Sequence, residues 1–295
     1  MNLKYLNSKE VSGILGINIS TLKRWTDNGK LGCEKTAGGH RKFTMQHIRN
    51  YYKTNSNSTK GDSLSLETKD HKKIYGLINQ QNYKQLALDL ADASLKADES
   101  IVDTIINGLY MNGTPVADLF DFVVDIAGNI VEDKLKNNKI AHTDAYLSRK
   151  IITRSVDGLN RDKPNGNFNG KNALCINFED NLPDIGVVMS EVLMRHNGYN
   201  VFNSGSHAEL GELSSIILKR KINIVLFYLC NLQCCNAFVE DNVSKTVNQI
   251  YDSIKVANKL KIDILFGGEG LFLLDDIKGK IDNSFLTYND LKKLI

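Results

Sequence analysis

The chain has 295 residues, 42% of them hydrophobic, enough apolar material for the cores of two or three domains. No apolar run reaches the roughly 18 residues of a membrane helix and no signal-peptide core follows the N-terminus, so a cytoplasmic protein with no membrane partner is expected. Five cysteines, an odd number in a chain of this length, do not make a secreted disulfide framework. The net charge of +3 divides unevenly. Residues 1–53 carry ten Lys/Arg against three Asp/Glu, a net of +7, and the remainder carries 27 against 31, a net of −4. Charge gathered in one short segment is the footprint of a polyanion-binding head, and the net acidic remainder has no comparable attraction for a polyanion.

Tyr5 to Tyr52 contains two short helix-compatible segments broken at Gly16. Val11, Ile14, Leu15, Leu22 and Trp25 recur at helical spacing and give each segment one face to bury. Ser8 is the expected N-cap of the first helix and Ser20 that of the second. With Leu22 and Trp25 turned inward, the second helix presents Thr21, Lys23 and Arg24. A turn at Gly38-Gly39 then carries Lys35, Thr36, His40, Arg41 and Lys42 outward. Short polar and basic side chains on an exposed helix suit the major groove, and a basic loop beside it suits phosphates. Ser20, Thr21, Lys23, Arg24, Lys35, Thr36, His40, Arg41 and Lys42 are the expected DNA contacts.

The opening SKEV, the turn LGINISTLKRW, the GKL step and the loop GGHRKF resemble, in order and spacing, the winged helix-turn-helix head of the MerR family of transcriptional regulators. That resemblance implies a double-stranded operator as partner and pairing of heads, hence a homo-oligomer of at least two chains.

Beyond this head (1–53), residues 54–70 are rich in Ser, Thr, Asn and Lys and read as a flexible linker. Residues 71–162 are helical throughout. Leu77 to Ala91 supplies one or two helices, Ile101–Leu109 another, Pro115 opens a long stretch to Val131, and a last helix runs from Thr143 to Leu159. Together they predict a four- or five-helix bundle. Residues 163–171, KPNGNFNGK, form a connector. From 172 to 295 short apolar runs alternate with amphipathic helices: ALCINF, YNVFNSG, INIVLFYLC and IDILFGG are four strands, and NDLKKLI closes the chain as a helix. Such βα repeats predict a doubly wound α/β domain whose ligands sit beyond the carboxyl ends of the strands.

A MerR-type head, a bundle and a doubly wound, Rossmann-like domain in that order resemble the cobalamin-dependent, light-responsive repressors of the CarH/LitR type. The resemblance implies adenosylcobalamin held between bundle and α/β domain, and its motifs can be checked one position at a time. Aligned on Gly186, the acidic position of the cobalamin motif is Asn181 and the cobalt-liganding His is Pro183, which has no donor atom. Phe227 and Tyr228 stand where small hydroxyl residues are usual, while the double glycine persists as Gly267 and Gly268. In the bundle, Leu135 replaces the capping Trp, Ala145 and Tyr146 replace a Glu-His pair, and Trp25 is the sole tryptophan of the chain. The expectation is a regulator, a repressor and not an enzyme, that keeps the fold but acts without cobalamin. Tyr146 and Tyr228 are expected to fill the vacated space. The alternative is a regulator that holds cobalamin without His ligation, or another small ligand in that cleft. A corrinoid-dependent methyl-transfer module would need the missing His and has no DNA-reading head.

Cys230, Cys234 and Cys235 at a strand end could hold a soft metal or act as a redox pair, but the spacing is not that of a zinc site, and simple thiols are expected. Glu179, Asp180 and Asp184 read as solvated residues near a helix N-terminus, and His207 and Glu209 as helix-opening surface residues. GGEG at 267–270 lacks the spacing of a dinucleotide fingerprint.

Overall fold

The computed structural model describes residues 5–15, 17–36, 38–44, 47–48, 50–51, 69–161, 168–177, 185–205, 212–229, 243–268, 270–271 and 283–295. In the head, α1 spans Ser8–Leu15 and α2 Ile19–Asp27, followed by an antiparallel pair, β1 (Glu34–Lys35) and β2 (Arg41–Lys42). Asparagines cap both helices. Asn7 accepts from Lys9 N–H on its side chain (2.8 Å) and from Val11 N–H on its carbonyl (3.1 Å). Asn18 does the same for Thr21 (2.8 Å) and Leu22 (3.0 Å). The caps expected at Ser8 and Ser20 are therefore corrected. Each serine follows a carboxamide that already reaches the orphan amides, and so lies in the first turn. Val11, Leu15, Leu22, Trp25, Leu31, Phe43, Ile48 and Tyr51 form the core, with Trp25 and Tyr51 stacked 4.9 Å apart.

The bundle comprises α3 (Lys69–Asn79), α4 (Tyr83–Leu95), α5 (Glu99–Met111), α6 (Val116–Leu119), α7 (Asp125–Lys136) and α8 (His142–Gly158). A π-helical turn, Phe120–Val124, joins α6 to α7, so the stretch opened by Pro115 is one helix with one widened turn. Left-handed residues separate the others: Gln81, Ala97, Gly113 and Asn138 all have φ between +53° and +90°. Such residues end a helix by turning the next amide back onto its last carbonyls. Gln81 thus splits Leu77–Ala91 into two helices, making five helical segments in all.

The α/β domain runs β3 (Asn172–Asn177), α9 (Ile185–His196), β4 (Asn200–Gly205), α10 (Leu213–Arg220), β5 (Ile224–Tyr228), α11 (Val243–Leu260), β6 (Asp263–Gly267), β7 (Ser284–Phe285) and α12 (Tyr288–Leu294). The five strands are parallel, in the order β4-β3-β5-β6-β7. The multidomain class read from the sequence is the one observed, with β7 as an additional edge strand. Alternation along the strands divides the core. Ala173, Cys175, Leu226 and Leu265 join the bundle in one continuous cluster, whereas Leu174, Ile176, Val225, Phe227 and Phe266 pack with residues of α10 and α11. Among the described residues no helix is long and apolar enough to cross a membrane.

Candidate nucleic-acid interface and strand-end cleft

Leu22 and Trp25 are the buried residues of α2, and they fix its rotation. At about 100° per residue this turns Lys23 and Arg24 to solvent and leaves Thr21 half-buried. Ser20 is exposed and donates its hydroxyl to the Asn18 cap at 2.5 Å. In the wing, Lys35, His40 and Lys42 are exposed. Half-buried Thr36 holds the tip: its N–H donates to the His40 carbonyl (2.9 Å) and its hydroxyl accepts from the His40 N–H (3.1 Å). Gly39, at φ +76°, supplies the left-handed residue of the turn. The Lys42 ammonium lies 5.0 Å above the Tyr5 ring, whose hydroxyl donates to Glu34 at 2.6 Å.

Arg41 behaves differently from its basic neighbours. Its Nε donates to Thr26 Oγ1 (2.7 Å) and its terminal nitrogen to Asp27 Oδ1 (2.6 Å), and only 16% of its side chain is exposed. The Arg41 hydrogen bond holds the Asp27 carboxyl below its usual pKa. Thr26 and Asp27 were not among the residues expected from the sequence, because their partner lies fifteen and fourteen positions along the chain and no local pattern links them. Lys30 was missed likewise; its ammonium sits 4.5 Å over Trp25 and 5.7 Å over Tyr51. Behind the wing, Thr44 N–H donates to His47 Nδ1 (3.1 Å), and partial burial lowers the His47 pKa.

In the α/β domain the strand order reverses between β3 and β5, and folds of this order bind ligands beyond the carboxyl ends there. Asn177 and Tyr228 face each other at that point. The Tyr228 ring, 8% exposed, lies against the first turn of α9, stacked on Tyr288 (6.3 Å, 12°) and tilted against Phe285 (6.3 Å). Phe120, from the π turn of the bundle, meets Tyr288 edge-on at 5.3 Å, and the Tyr288 hydroxyl donates to the Gly186 carbonyl at 3.2 Å. A β-carbon at Gly186 would stand 2.1 Å from Tyr228, one at Gly267 1.9 Å from Phe285, and one at Gly268 (φ +100°) 2.0 Å from the Leu229 carbonyl. All three glycines are thus demanded by rings and backbone of the chain itself.

Leu135 and Ala145 are buried in the bundle. Tyr146, by contrast, is 37% exposed, which corrects the expectation that it fills the inner space: Ala145 takes the inward position and the next residue is rotated out. Asn181, Pro183, Glu179, Asp180, Asp184, His207, Glu209, Cys230, Cys234 and Cys235 lie outside the described residues. Among those described, no three His, Cys, Asp or Glu residues are grouped to hold a metal ion.

Residues 6–53 match the family model described as MerR HTH family regulatory protein. The head is therefore a MerR-type helix-turn-helix domain, the type carried by DNA-binding regulators. No curated protein matches the chain. Among solved structures the chain is similar to the Methanosarcina barkeri monomethylamine corrinoid protein, with 15% identity over 72% of this chain and 97% of that one and a TM-score of 0.49. It is similar also to a novel cobalamin-binding protein from Desulfitobacterium hafniense DCB-2 (12% identity, 77% and 97% covered, TM-score 0.33). A third is the methanol:cobalamin methyltransferase complex MtaBC from Methanosarcina barkeri (16%, 85% and 91%, TM-score 0.34).

Proposed function

We propose that the protein is a transcriptional repressor that reads double-stranded DNA through its head and whose body joins copies of the chain without cobalamin. The observation that carries the reading is the exposure of Lys23 and Arg24 on α2, beside a wing that exposes Lys35, His40 and Lys42. In the major groove, Thr21, Lys23 and Arg24 meet base edges, while the wing cations and the Ser20 hydroxyl lie toward phosphates. One head offers one reading helix. Two heads about one helical turn apart read a pseudo-palindrome, and the acidic body supplies the pairing.

The residues at the strand ends do not fit a corrinoid. The space beside Gly186 is filled by Tyr228, backed by Tyr288 and Phe285, and the position of the cobalt-liganding His in the CarH/LitR-type motif is a proline. The reading assigns the body no catalysis.

Selection of duplexes from a random-sequence pool by the full-length protein tests DNA reading directly. Arg24→Ala should weaken binding of the selected duplex by about tenfold or more and relax base preference at one position in each half-site. Unchanged affinity and preference would remove α2 as the reading element. A reporter placed behind the selected site should lose transcription when the protein is present; a rise would make it an activator.

A further inference from the structure

Thr26 and Asp27 close α2, and both are committed to the wing. Arg41 presents two adjacent donors along one edge of its guanidinium, and each meets one of these consecutive residues, at 2.7 and 2.6 Å. The Thr26 hydroxyl is itself oriented, since it donates to the Lys23 carbonyl at 2.7 Å and so aims a lone pair at Arg41. Across the ladder from Arg41, Lys35 brings a second cation to Asp27, at 3.8 Å. Along the same strand Lys42 is exposed and free of this grip, so β2 divides its two cations between solvent and the helix.

We propose that Thr26 and Asp27 are positioning residues for DNA recognition: they hold Arg41 and thereby set the angle of the wing to the reading helix. Arg41 acts through this grip and not on a phosphate. The proposal rests on the DNA-reading role given above. It explains a carboxylate at the end of a helix whose other charged side chains are cationic, where it would otherwise repel the polyanion. A helix in the groove and a wing over the neighbouring backbone bind well only when their relation is fixed beforehand, because each joint left loose must be ordered on binding.

The test uses the full chain with Asp27→Asn, Thr26→Val, Arg41→Ala and the double variant Asp27→Asn/Arg41→Ala. Without DNA, amide hydrogen exchange across residues 36–42 should quicken by about three- to fivefold in each variant, the scale of a partly exposed ion pair, while the bundle is unaffected. On the duplex selected by the wild-type chain, each single variant should bind about three- to tenfold more weakly. The double variant should be no worse than the weaker single one, and the salt slope should stay at its wild-type value.

Two binding results would overturn the grip. The first is an Asp27→Asn variant that binds as well as or better than wild type, which is what removing a negative charge beside DNA does on Coulombic grounds alone. The second is an Arg41→Ala slope reduced by about one, the mark of a phosphate contact. Unchanged wing exchange overturns the grip whether or not DNA is bound. A wild-type chain that selects no duplex defeats the DNA-reading role itself, and the exchange data then show separately whether the grip exists.

Discussion

Gly186 has no room for a side chain, because the edge of the Tyr228 ring lies where its β-carbon would stand. That ring is held between Tyr288 and Phe285 and cannot swing away cheaply. Gly186→Ala gains less than about 1 kcal/mol of helix propensity in α9 and loses about 1–3 kcal/mol to overpacking, so a net fall in chemical-denaturation stability is expected. Tyr228→Ala opens a cavity costing about 3–5 kcal/mol. The double variant should be more stable than the sum of the two predicts, since the new methyl enters the emptied space; strict additivity would mean the two sites do not touch. His47 gives a pH prediction. Burial holds its folded pKa below the ordinary value of 6.5, and neutral Nδ1 accepts from Thr44. The unfolded chain takes up the proton first, near that ordinary value, so the contribution is complete above it and is lost as pH falls through the folded pKa. Exchange in the head should therefore rise relative to the bundle between about pH 7 and pH 5, and His47→Gln should flatten the change.

The π turn between α6 and α7 sets Asp121 at the start of α12. Its carboxylate accepts the N–H of Tyr288 (2.7 Å) and of Asn289 (2.9 Å), and the Asn289 carboxamide donates to Asp121 (2.8 Å) and to Asp118 (2.9 Å). Thr287 serves the amide of Asp290 (3.1 Å). The first amides of the last helix are thus satisfied partly from its own chain segment and partly from the bundle, which binds the two units at a helix end. Asp121→Ala removes an anionic cap and leaves donors unpaired, for a loss of about 2 kcal/mol. Urea unfolding measures it, and amide exchange at 288–294 should quicken before any other helix; exchange that rises evenly across the bundle would place the loss elsewhere.

Elements of this kind mark how far the sequence can be read. The helices of the bundle were legible because Leu86, Leu90, Ile105, Leu109 and their neighbours repeat at helical spacing, and the reading helix because Leu22 and Trp25 fix its rotation. β7 was not legible, since two residues carry no alternation. Nor was the π turn, which keeps an apolar face while adding a residue to one turn. The Arg41 grip and the Asp121 cap join residues 14 to 168 positions apart, and no local pattern encodes such a pairing. At the strand ends Gly267 and Gly268 were visible as a pair, but their cause, the Phe285 ring and the Leu229 carbonyl, belongs to tertiary packing.

At the scale of the molecule, the bundle and one sheet face share a single apolar core, and a line of rings from Phe120 through Tyr288 and Tyr228 to Phe285 runs across their junction. A corrinoid lodged at the β3–β5 crevice would have to displace Tyr228, whose removal from its packing costs about as much as truncating a buried aromatic, some 3–5 kcal/mol. That is a loss of two to four decades in affinity before any contact with the ligand is counted. Full-length protein mixed with adenosylcobalamin and desalted should therefore carry no corrin absorbance, and its affinity for the selected duplex should be the same with or without the corrinoid, in darkness and after illumination. Because the net positive charge lies in residues 1–53 and the remainder is net acidic, the salt slope of that affinity should be accounted for by the cations of the heads alone, and neutralising substitutions in the body should leave it in place. A corrin spectrum that survives desalting, or a shift in DNA affinity on illumination, would return the strand-end cleft to use as a sensor and would require Tyr228 to move.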